Sequence, residues 1–220
     1  MKIDWSTFWV KIVEATGETI TMVCLTLLFA SILGITIGLL FFVTRKGNIL
    51  ENKVIFFILN VLVNVIRPIP FIILLVAIGP ITRVVVGTTI GTMAAVFPMT
   101  IAAAFAIARV VENNLVSIDS GVIEAAQSMG ASPIKVIFTI LIPEALGPLI
   151  LGLTFIAVAL IDFSAMAGTV GGGGLGAIAM SYGYQRFDTS VIVVTVVILI
   201  IMAQGAQLLG NFLSRFFLRR

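Results

Sequence analysis

Long apolar runs dominate this sequence and constrain its fold more than any other feature. Five runs are each long enough to cross roughly 30 Å of hydrocarbon, which takes about 20 helical residues. Of the 220 residues, 60% are hydrophobic and only 10% are charged, so a water-soluble fold could not bury the apolar surface. The sequence therefore predicts an all-α integral membrane protein with a single transmembrane domain over residues 1–220. We place the spans at residues 19–43, 54–79, 84–108, 145–170 and 188–213.

Breaks in the apolar pattern define the ends of the first three spans. Gly79 and Pro80 interrupt the run from 54 to 108, and this pair predicts a tight turn between two helices. Trp5 and Trp9 precede the first span. Aromatic residues in that position predict a short separate helix that lies at the membrane interface.

The distribution of basic residues predicts the orientation in the membrane. An odd number of spans places the termini on opposite sides, and basic residues mark the cytoplasmic side. We therefore expect the N-terminus outside, and the C-terminus and the 109–143 loop inside. The inner side would carry Arg45, Lys46, Lys53, Arg109, Lys135, Arg215, Arg219 and Arg220, and the outer side Lys2, Lys11, Arg83 and Arg186.

Residues for catalysis or metal binding are scarce in the sequence. There is no histidine, Cys24 is the only cysteine, and no cluster of paired carboxylates appears, so we expect no catalytic or metal site and no membrane-embedded enzyme. The cations lie at the ends of apolar runs, which indicates membrane lipid rather than nucleic acid as their partner. No Gly-x-x-x-x-Gly-Lys-[Ser/Thr] loop is present, so any energy from a nucleotide would have to arrive from another subunit.

A polar segment with several helix-capping residues separates the third and fourth spans. Asp119 or Ser120 can cap a first short helix, and Gly130 supplies a turn because glycine reaches positive φ easily. Ser132-Pro133 starts a second short helix, and Pro143 starts the fourth span in the same way. A helical insert of this kind in a membrane protein is either a solvated connecting loop or a surface for a partner outside the membrane.

The residue spacing in this segment resembles the EAA loop of ABC importer permeases. The pattern is Glu-Ala-Ala, three residues, glycine, nine residues, isoleucine, one residue, an aliphatic residue and proline. The family prefers leucine where Ile142 stands, and isoleucine keeps the apolar character. The matching positions are Glu124, Ala125, Ala126, Gly130, Ile140, Ile142 and Pro143.

The likeness covers nearly the whole chain from the first span onward. Within the family, the chain is similar to the methionine-uptake permeases in particular. The segments that carry it are Arg67–Leu75, Val86–Thr88, Ser164–Gly168, Val170–Gly176 and Tyr182–Gln185.

This resemblance implies the type I ABC importer permease fold, with five transmembrane helices and a helical coupling loop at about 109–143. It implies a homodimer in the bacterial cytoplasmic (inner) membrane, with two cytoplasmic ABC ATPase subunits and an extracytoplasmic methionine-binding lipoprotein. ATP and Mg would be bound by the ATPase partner, and no cofactor by this chain.

The resemblance also implies a function and a docking surface. The chain would move D- and L-methionine inward by alternating access, driven by ATP hydrolysis in the partner. Two alternatives stay open: a permease for another amino acid or small polar solute, and an ion-gradient carrier without an ATPase. The residues expected to dock the ATPase are Glu124, Ala125, Ala126, Gly130 and Ser132.

Three residues inside apolar spans are candidates for the pore or gate. Arg67 and Asp162 are ionisable and should not face lipid, because a charge there costs about 2.5–3.5 kcal/mol. Arg67 either stabilises the kink at Pro68 and Pro70 or contacts substrate. Asp162 either pairs with Arg67, lines the pore or dimer interface, or exchanges protons. Met166 either lines the pore or fills a packing gap.

The glycine-rich segment 171–176 superficially resembles a nucleotide-binding loop. No strand precedes it, and by the expected topology it faces the outside, where ATP is absent. We therefore expect a flexible extracellular loop near the mouth of the pore.

Overall fold

The structure is a computed structural model that describes residues 5–218, and the side chains of residues 5–216. Lys2, Arg219 and Arg220 lie outside the described residues. Every element in the described part of the chain is helical. In chain order the helices are α1 (Trp5–Val43), α2 (Lys53–Ile66), α3 (Phe71–Ala77), α4 (Gly79–Val86), α5 (Thr92–Val116), α6 (Ser120–Ser128), α7 (Pro133–Val136), α8 (Ile142–Ala167), α9 (Gly174–Ile178) and α10 (Thr189–Leu218), with π-helical turns at Ile137–Leu141, Gly168–Gly172 and Ala179–Tyr184.

Between residues 5 and 218, four helical stretches are long and apolar enough to cross a membrane. The number rises to five if the broken pair α2 and α3 is taken as one span. The all-α membrane fold predicted from the sequence is therefore confirmed. The four stretches are Trp5–Val43, Thr92–Val116, Pro133–Gly172 and Thr189–Phe216.

Helix α1 is much longer than the predicted first span. It has 39 residues, which corresponds to about 58 Å at 1.5 Å per residue. The separate interfacial helix predicted around Trp5 and Trp9 is wrong, because both residues belong to α1. No proline interrupts this stretch, and the burial of Phe8, Ile12 and Ala15 holds the first turns in place.

The second and third predicted spans differ most from the structure. The expected helix 54–79 stops at Ile66, and a new helix starts at Phe71. Pro68 and Pro70 lie between them, and each lacks the N–H group that continuing the helix would require. The expected third span started at residue 84, whereas α5 starts at Thr92. Residues 79–86 form the short helix α4 instead, with proline in its first turn.

The chain divides into two compact units. The first comprises Met1–Phe29, Ile69–Ala102 and Ala157–Gln207, and the second comprises Ala30–Pro68, Ala103–Ile156 and Leu208–Arg220.

The second unit is built on close contact between α1 and α5. A Cβ atom added to Gly34 would lie 2.6 Å from Ile107 Cβ and 2.7 Å from the carbonyl oxygen of Ala104. One turn further on, a Cβ atom added to Gly38 would lie 2.6 Å from Val111 Cβ. Two glycines four residues apart thus allow the helix backbones to touch, as is common in membrane helices.

The first unit has its core around the N-terminal turns of α1. Phe8 and Ile12 pack with Leu175 and Val191. Next to them, Lys11 Nζ donates a 3.1 Å hydrogen bond to the phenol oxygen of Tyr182. This hydrogen bond and the positive charge of Lys11 lower the pKa of Tyr182, because both stabilise the phenolate.

The glycine-rich segment is ordered and folded rather than a flexible loop, so that expectation is wrong. Residues 168–172 form a wide turn that is kinked at Val170 and Gly171, whose backbone angles are not helical, and α9 starts at Gly174. The Gly174 N–H donates to Glu18 Oε2 at 2.6 Å, and the Leu175 N–H donates to Thr19 Oγ1 at 2.9 Å. Two side chains of α1 therefore satisfy two of the free N–H groups at the start of α9.

Candidate functional site

Helix α6 is the first element of the candidate coupling segment, residues 119–138. Asp119 has an extended backbone and caps the helix, and its Oδ1 accepts a hydrogen bond from the Gly121 N–H at 2.8 Å. Between the two caps that the sequence allowed, Asp119 and Ser120, the structure selects Asp119. Ser120 is the first helical residue.

Helix α6 ends in a Schellman motif at Gly130. The Ala131 N–H donates to the Ala126 carbonyl at 3.0 Å, and the Gly130 N–H donates to the Gln127 carbonyl at 2.9 Å. The φ angle of Gly130 is +80°, a conformation that glycine adopts without steric cost. The predicted turn at Gly130 is confirmed.

Ser132 and Pro133 start a helix as predicted, but that helix does not stop before the fourth span. Ser132 Oγ accepts from the Lys135 N–H at 3.4 Å. The helix then continues without a break from Pro133 to Ala167, so the predicted new start at Pro143 is wrong. A π-helical turn at Ile137–Leu141 precedes the proline, and a wide turn relieves the clash between a proline ring and the carbonyl four residues earlier.

The two faces of α6 have different surroundings. Ile123 and Ala126 are buried at 8% and 4% exposure, so this face packs on the chain itself. Glu124 and Ala125 lie on the exposed side of the same helix. Gly130 and Ser132 are exposed as well. Of the five predicted docking residues, Ala126 alone is buried.

Apolar side chains that the sequence interpretation missed surround this exposed side. Met129 is 82% exposed, Ile134 69% and Phe138 66%. Met129 precedes the turn, and Ile134 and Phe138 lie at the start of the apolar stretch that begins at Pro133. Exposed apolar residues grouped next to an exposed helix indicate a surface that is covered in an assembly. The only indication of it in the sequence is the position of these residues within eight positions of the turn at Gly130.

The inner side of α6 rests on the ends of α1 and α5. A groove of about 190 Å³ lies there. Its lining combines the turn after α1 with the residues that lead into α6 and the inner face of α6. The lining residues include Phe42, Arg45, Ile49, Val116, Ile118, Ile123, Gln127 and Glu124, which is also exposed at the surface.

A carboxylate shared by two arginines ties the ends of α1 and α5 together. Arg109 Nη1 lies 3.1 Å from Glu112 Oε2, and Arg45 Nη1 lies 3.6 Å from Glu112 Oε1. Arg109 also stacks over Phe41, with 5.8 Å from Cζ to the ring centroid. Glu112 is buried among its partners. This cluster fixes the platform on which α6 rests.

Replacing Glu112 with glutamine should lower the free energy of unfolding by about 1–2 kcal/mol, because two arginines then lose a buried charged acceptor while both remain partly hydrated. Thermal unfolding in detergent measures the loss. Glu144→Gln is the control, because Glu144 is exposed on α8. Equal losses in the two variants would show that the Glu112 cluster contributes nothing specific.

The pore candidates are divided between the two units. Arg67 belongs to the second unit, whereas Asp162 and Met166 belong to the first. Arg67 and Asp162 are both exposed, and Met166 is 37% exposed. Phe163, next to Asp162, stacks on Phe71 at 4.5 Å between ring centroids. The pore roles of Arg67, Asp162 and Met166 stay predictions.

Comparison with known families identifies a transport component. Residues 30–220 match the family described as "Binding-protein-dependent transport system inner membrane component". The probable D-methionine transport system permease protein MetI of Vibrio cholerae is 44% identical over 204 residues, which are 93% of this chain and 91% of that protein. The D-methionine transport system permease protein MetI of Escherichia coli K12 is 43% identical over 157 residues, 71% of this chain and 72% of that protein.

Solved structures agree with the sequence relatives. The chain is similar to one in the inward-facing MetNI methionine ABC transporter, with a TM-score of 0.94 and 40% identity over 98% of this chain and 99% of that one. A chain of an amino acid ABC transporter with histidines gives a TM-score of 0.79 at 19% identity, a likeness that concerns the fold alone. The fold is that of a type I ABC importer permease.

Proposed function

Because this chain belongs to the family of binding-protein-dependent transport system inner membrane components, a group of multi-pass inner-membrane transport proteins, we propose that it forms the pore of an ABC importer for methionine. The single observation that carries the substrate is the identity of 44% over 93% of the chain with a probable D-methionine permease. The chain is not itself the enzyme: ATP and Mg bind to a separate ATPase subunit.

The assembly that we propose has two copies of this chain and two ATPase subunits. In that assembly, the exposed side of α6 sits in a cleft of the ATPase. Glu124 offers a carboxylate to a donor on the partner, and Ala125 allows close approach because its side chain is small. Met129, Ile134 and Phe138 supply apolar contact area next to it. We propose that an extracytoplasmic lipoprotein delivers methionine from the opposite side.

The mechanism follows from how the coupling segment is held. Closure of the ATPase dimer on ATP draws the two α6 helices together. Because α7 continues without a break into α8, displacement of the segment moves a membrane-spanning helix directly. The Glu112 cluster keeps the platform under α6 rigid, so the movement is transmitted rather than absorbed. Hydrolysis then returns the pore to its inward-open state.

The proposed orientation places the N-terminus outside and the C-terminus and α6 in the cytoplasm. The bias of basic residues supports it. A cysteine introduced at Ser132 should react with a membrane-impermeant maleimide only after the membrane is opened, whereas one introduced at Phe187, which is 90% exposed, should react in intact cells. The reverse pattern would refute the orientation.

Transport assays test the substrate. The complete importer, reconstituted in liposomes with its ATPase and binding protein, should accumulate labelled L- and D-methionine only when ATP is supplied. Preferred uptake of another amino acid would show that this amino acid, and not methionine, is the substrate. Uptake that survives ATP depletion but stops when an uncoupler collapses the ion gradient would instead favour an ion-gradient carrier.

The turn at Gly130 allows a sharper test of the coupling segment. Gly130→Val should reduce coupled uptake by more than tenfold, because a β-branched residue at φ +80° is strongly disfavoured. Gly130→Asn should keep most of the activity, because asparagine tolerates this conformation. Uptake and ATP hydrolysis are measured on the same preparation. Equal activity in the two variants would show that the conformation of this turn has no role in coupling.

A further inference from the structure

The first unit contains a cavity of about 580 Å³ that the coupling mechanism does not use. This volume falls in the range of about 300–1,000 Å³ that is typical of small-molecule sites. Its walls come from α3, α4, the start of α5 and the end of α8 with the following turn. Most of the lining is apolar and includes Leu75, Val76, Ala94, Ala95, Pro98 and Val170.

Arg83 is the only charged residue among the described residues that line this cavity. It lies in the last turn of α4, a helix that begins with Gly79 and Pro80 and ends at Val86. Its side chain is exposed, so water reaches the guanidinium from one side. Of the two hydroxyl groups in the lining, that of Thr82 already donates to the Ile78 carbonyl at 3.1 Å. The cavity therefore offers a carboxylate one strong, charged donor.

An apolar wall with one guanidinium at its edge matches a particular type of small molecule. A carboxylate pairs with arginine through two parallel hydrogen bonds, and an unbranched apolar side chain can lie against the aliphatic wall. A single charged contact also makes binding weak, as a transport pathway requires, because a transported molecule must leave as readily as it enters.

We propose that this cavity is a transient binding site for the transported amino acid, with Arg83 holding its carboxylate and the α3–α5 wall holding its side chain. This inference rests on the proposed function as a methionine importer and adds the position of the molecule within the chain. It makes Arg83 a specificity residue for the carboxylate, and Leu75, Val76 and Ala95 contact residues for the thioether chain.

Photolabelling of the complete transporter locates the molecule. A diazirine analogue of methionine is supplied to liposomes that contain the permease, its ATPase and its binding protein with ATP, and the labelled peptides are identified after irradiation. We expect adducts on residues 75–76 and 94–95, suppressed by excess methionine but not by its carboxamide, which lacks the negative charge. Adducts confined to other parts of the permease would overturn the proposal.

Variants at Arg83 test the role of its charge. Arg83→Gln should lower the yield of these adducts about tenfold, and Arg83→Lys should retain much of it, since the loss concerns a charge-assisted contact. Arg186→Gln is the matched control: it removes a cation that stacks on Tyr182, 4.4 Å from the ring centroid, and that does not line the cavity. An equal fall in Arg186→Gln would mean that surface charge alone matters, and an unchanged yield in Arg83→Gln would exclude the carboxylate contact.

The two proposals fail in different ways. If the wild-type transporter takes up methionine but no adduct forms in the cavity, only the site is wrong. If it takes up no methionine, the proposed function is wrong, and the proposed methionine site falls with it.

Discussion

Replacing Ala125 with tryptophan should abolish ATP-driven uptake while the permease stays folded, and the same replacement at Ala126 should unfold the segment instead. Ala125 is exposed on α6, whereas Ala126 is buried, with an exposure of only 4%. A bulky side chain on the exposed side blocks a partner, and on the buried side it overpacks the interior. We expect Ala125→Trp to lose more than tenfold in uptake and to release the ATPase during purification.

Thermal unfolding and co-purification distinguish the two variants. Ala125→Trp should unfold at the wild-type temperature but elute without the ATPase, and Ala126→Trp should show a lower unfolding temperature or low yield. Ala125→Ser is the control, because serine adds only one oxygen atom, and it should stay coupled. Normal uptake in Ala125→Trp would show that the exposed side of α6 is not the docking surface.

Replacing Gly176 with alanine should strongly destabilise the permease, although the change adds only one methyl group. A Cβ atom at Gly176 would overlap the carbonyl oxygen of Ala165, a backbone atom that cannot move aside as a side chain does. Residue 176 is in α9, folded back against the end of α8. We expect a loss of about 3 kcal/mol, or roughly 6–12 °C in unfolding temperature.

Gly205→Ala is the matched control for this variant. Gly205 lies in α10 with no atom within 4 Å of an added Cβ. Alanine there should be neutral or stabilise by about 0.5–1 kcal/mol, because glycine is a poor helix residue. Similar unfolding temperatures for Gly176→Ala and the wild type would mean that the backbones of α8 and α9 can separate at little cost.

The local structure of the candidate coupling segment was predictable because its determinants are local. Asp119, Gly130 and Ser132 act through hydrogen bonds or φ angles that depend on neighbours a few residues away, and the structure has each of them in the expected role. The all-α membrane class follows in the same way from hydrophobicity alone. Which alanine faces outward depends on the packing of α6 against the ends of α1 and α5. No local sequence pattern predicts that packing.

The errors have a common cause in contacts between residues far apart in the chain. Residues 171–176 look flexible in sequence because glycines have no side chains to pack, yet Glu18 and Thr19 bind the start of α9 from 156 positions away. Hydropathy also gave no indication that residues 84–91 lie outside the third span, because valine and isoleucine are as apolar there as in a membrane helix. The cavity at Arg83 depends on α3, α4 and α5 meeting, which no local pattern encodes.

The π-helical turn before Pro143 changes how labels must be placed along this helix. One additional residue in a turn rotates everything beyond it by about 100° relative to a regular helix with 3.6 residues per turn. A helical wheel drawn straight through residues 133–167 would therefore assign the wrong neighbours on one side of Ile137–Leu141. Spin labels or cysteine pairs that are meant to follow the movement of this helix need their positions counted separately on each side of that turn.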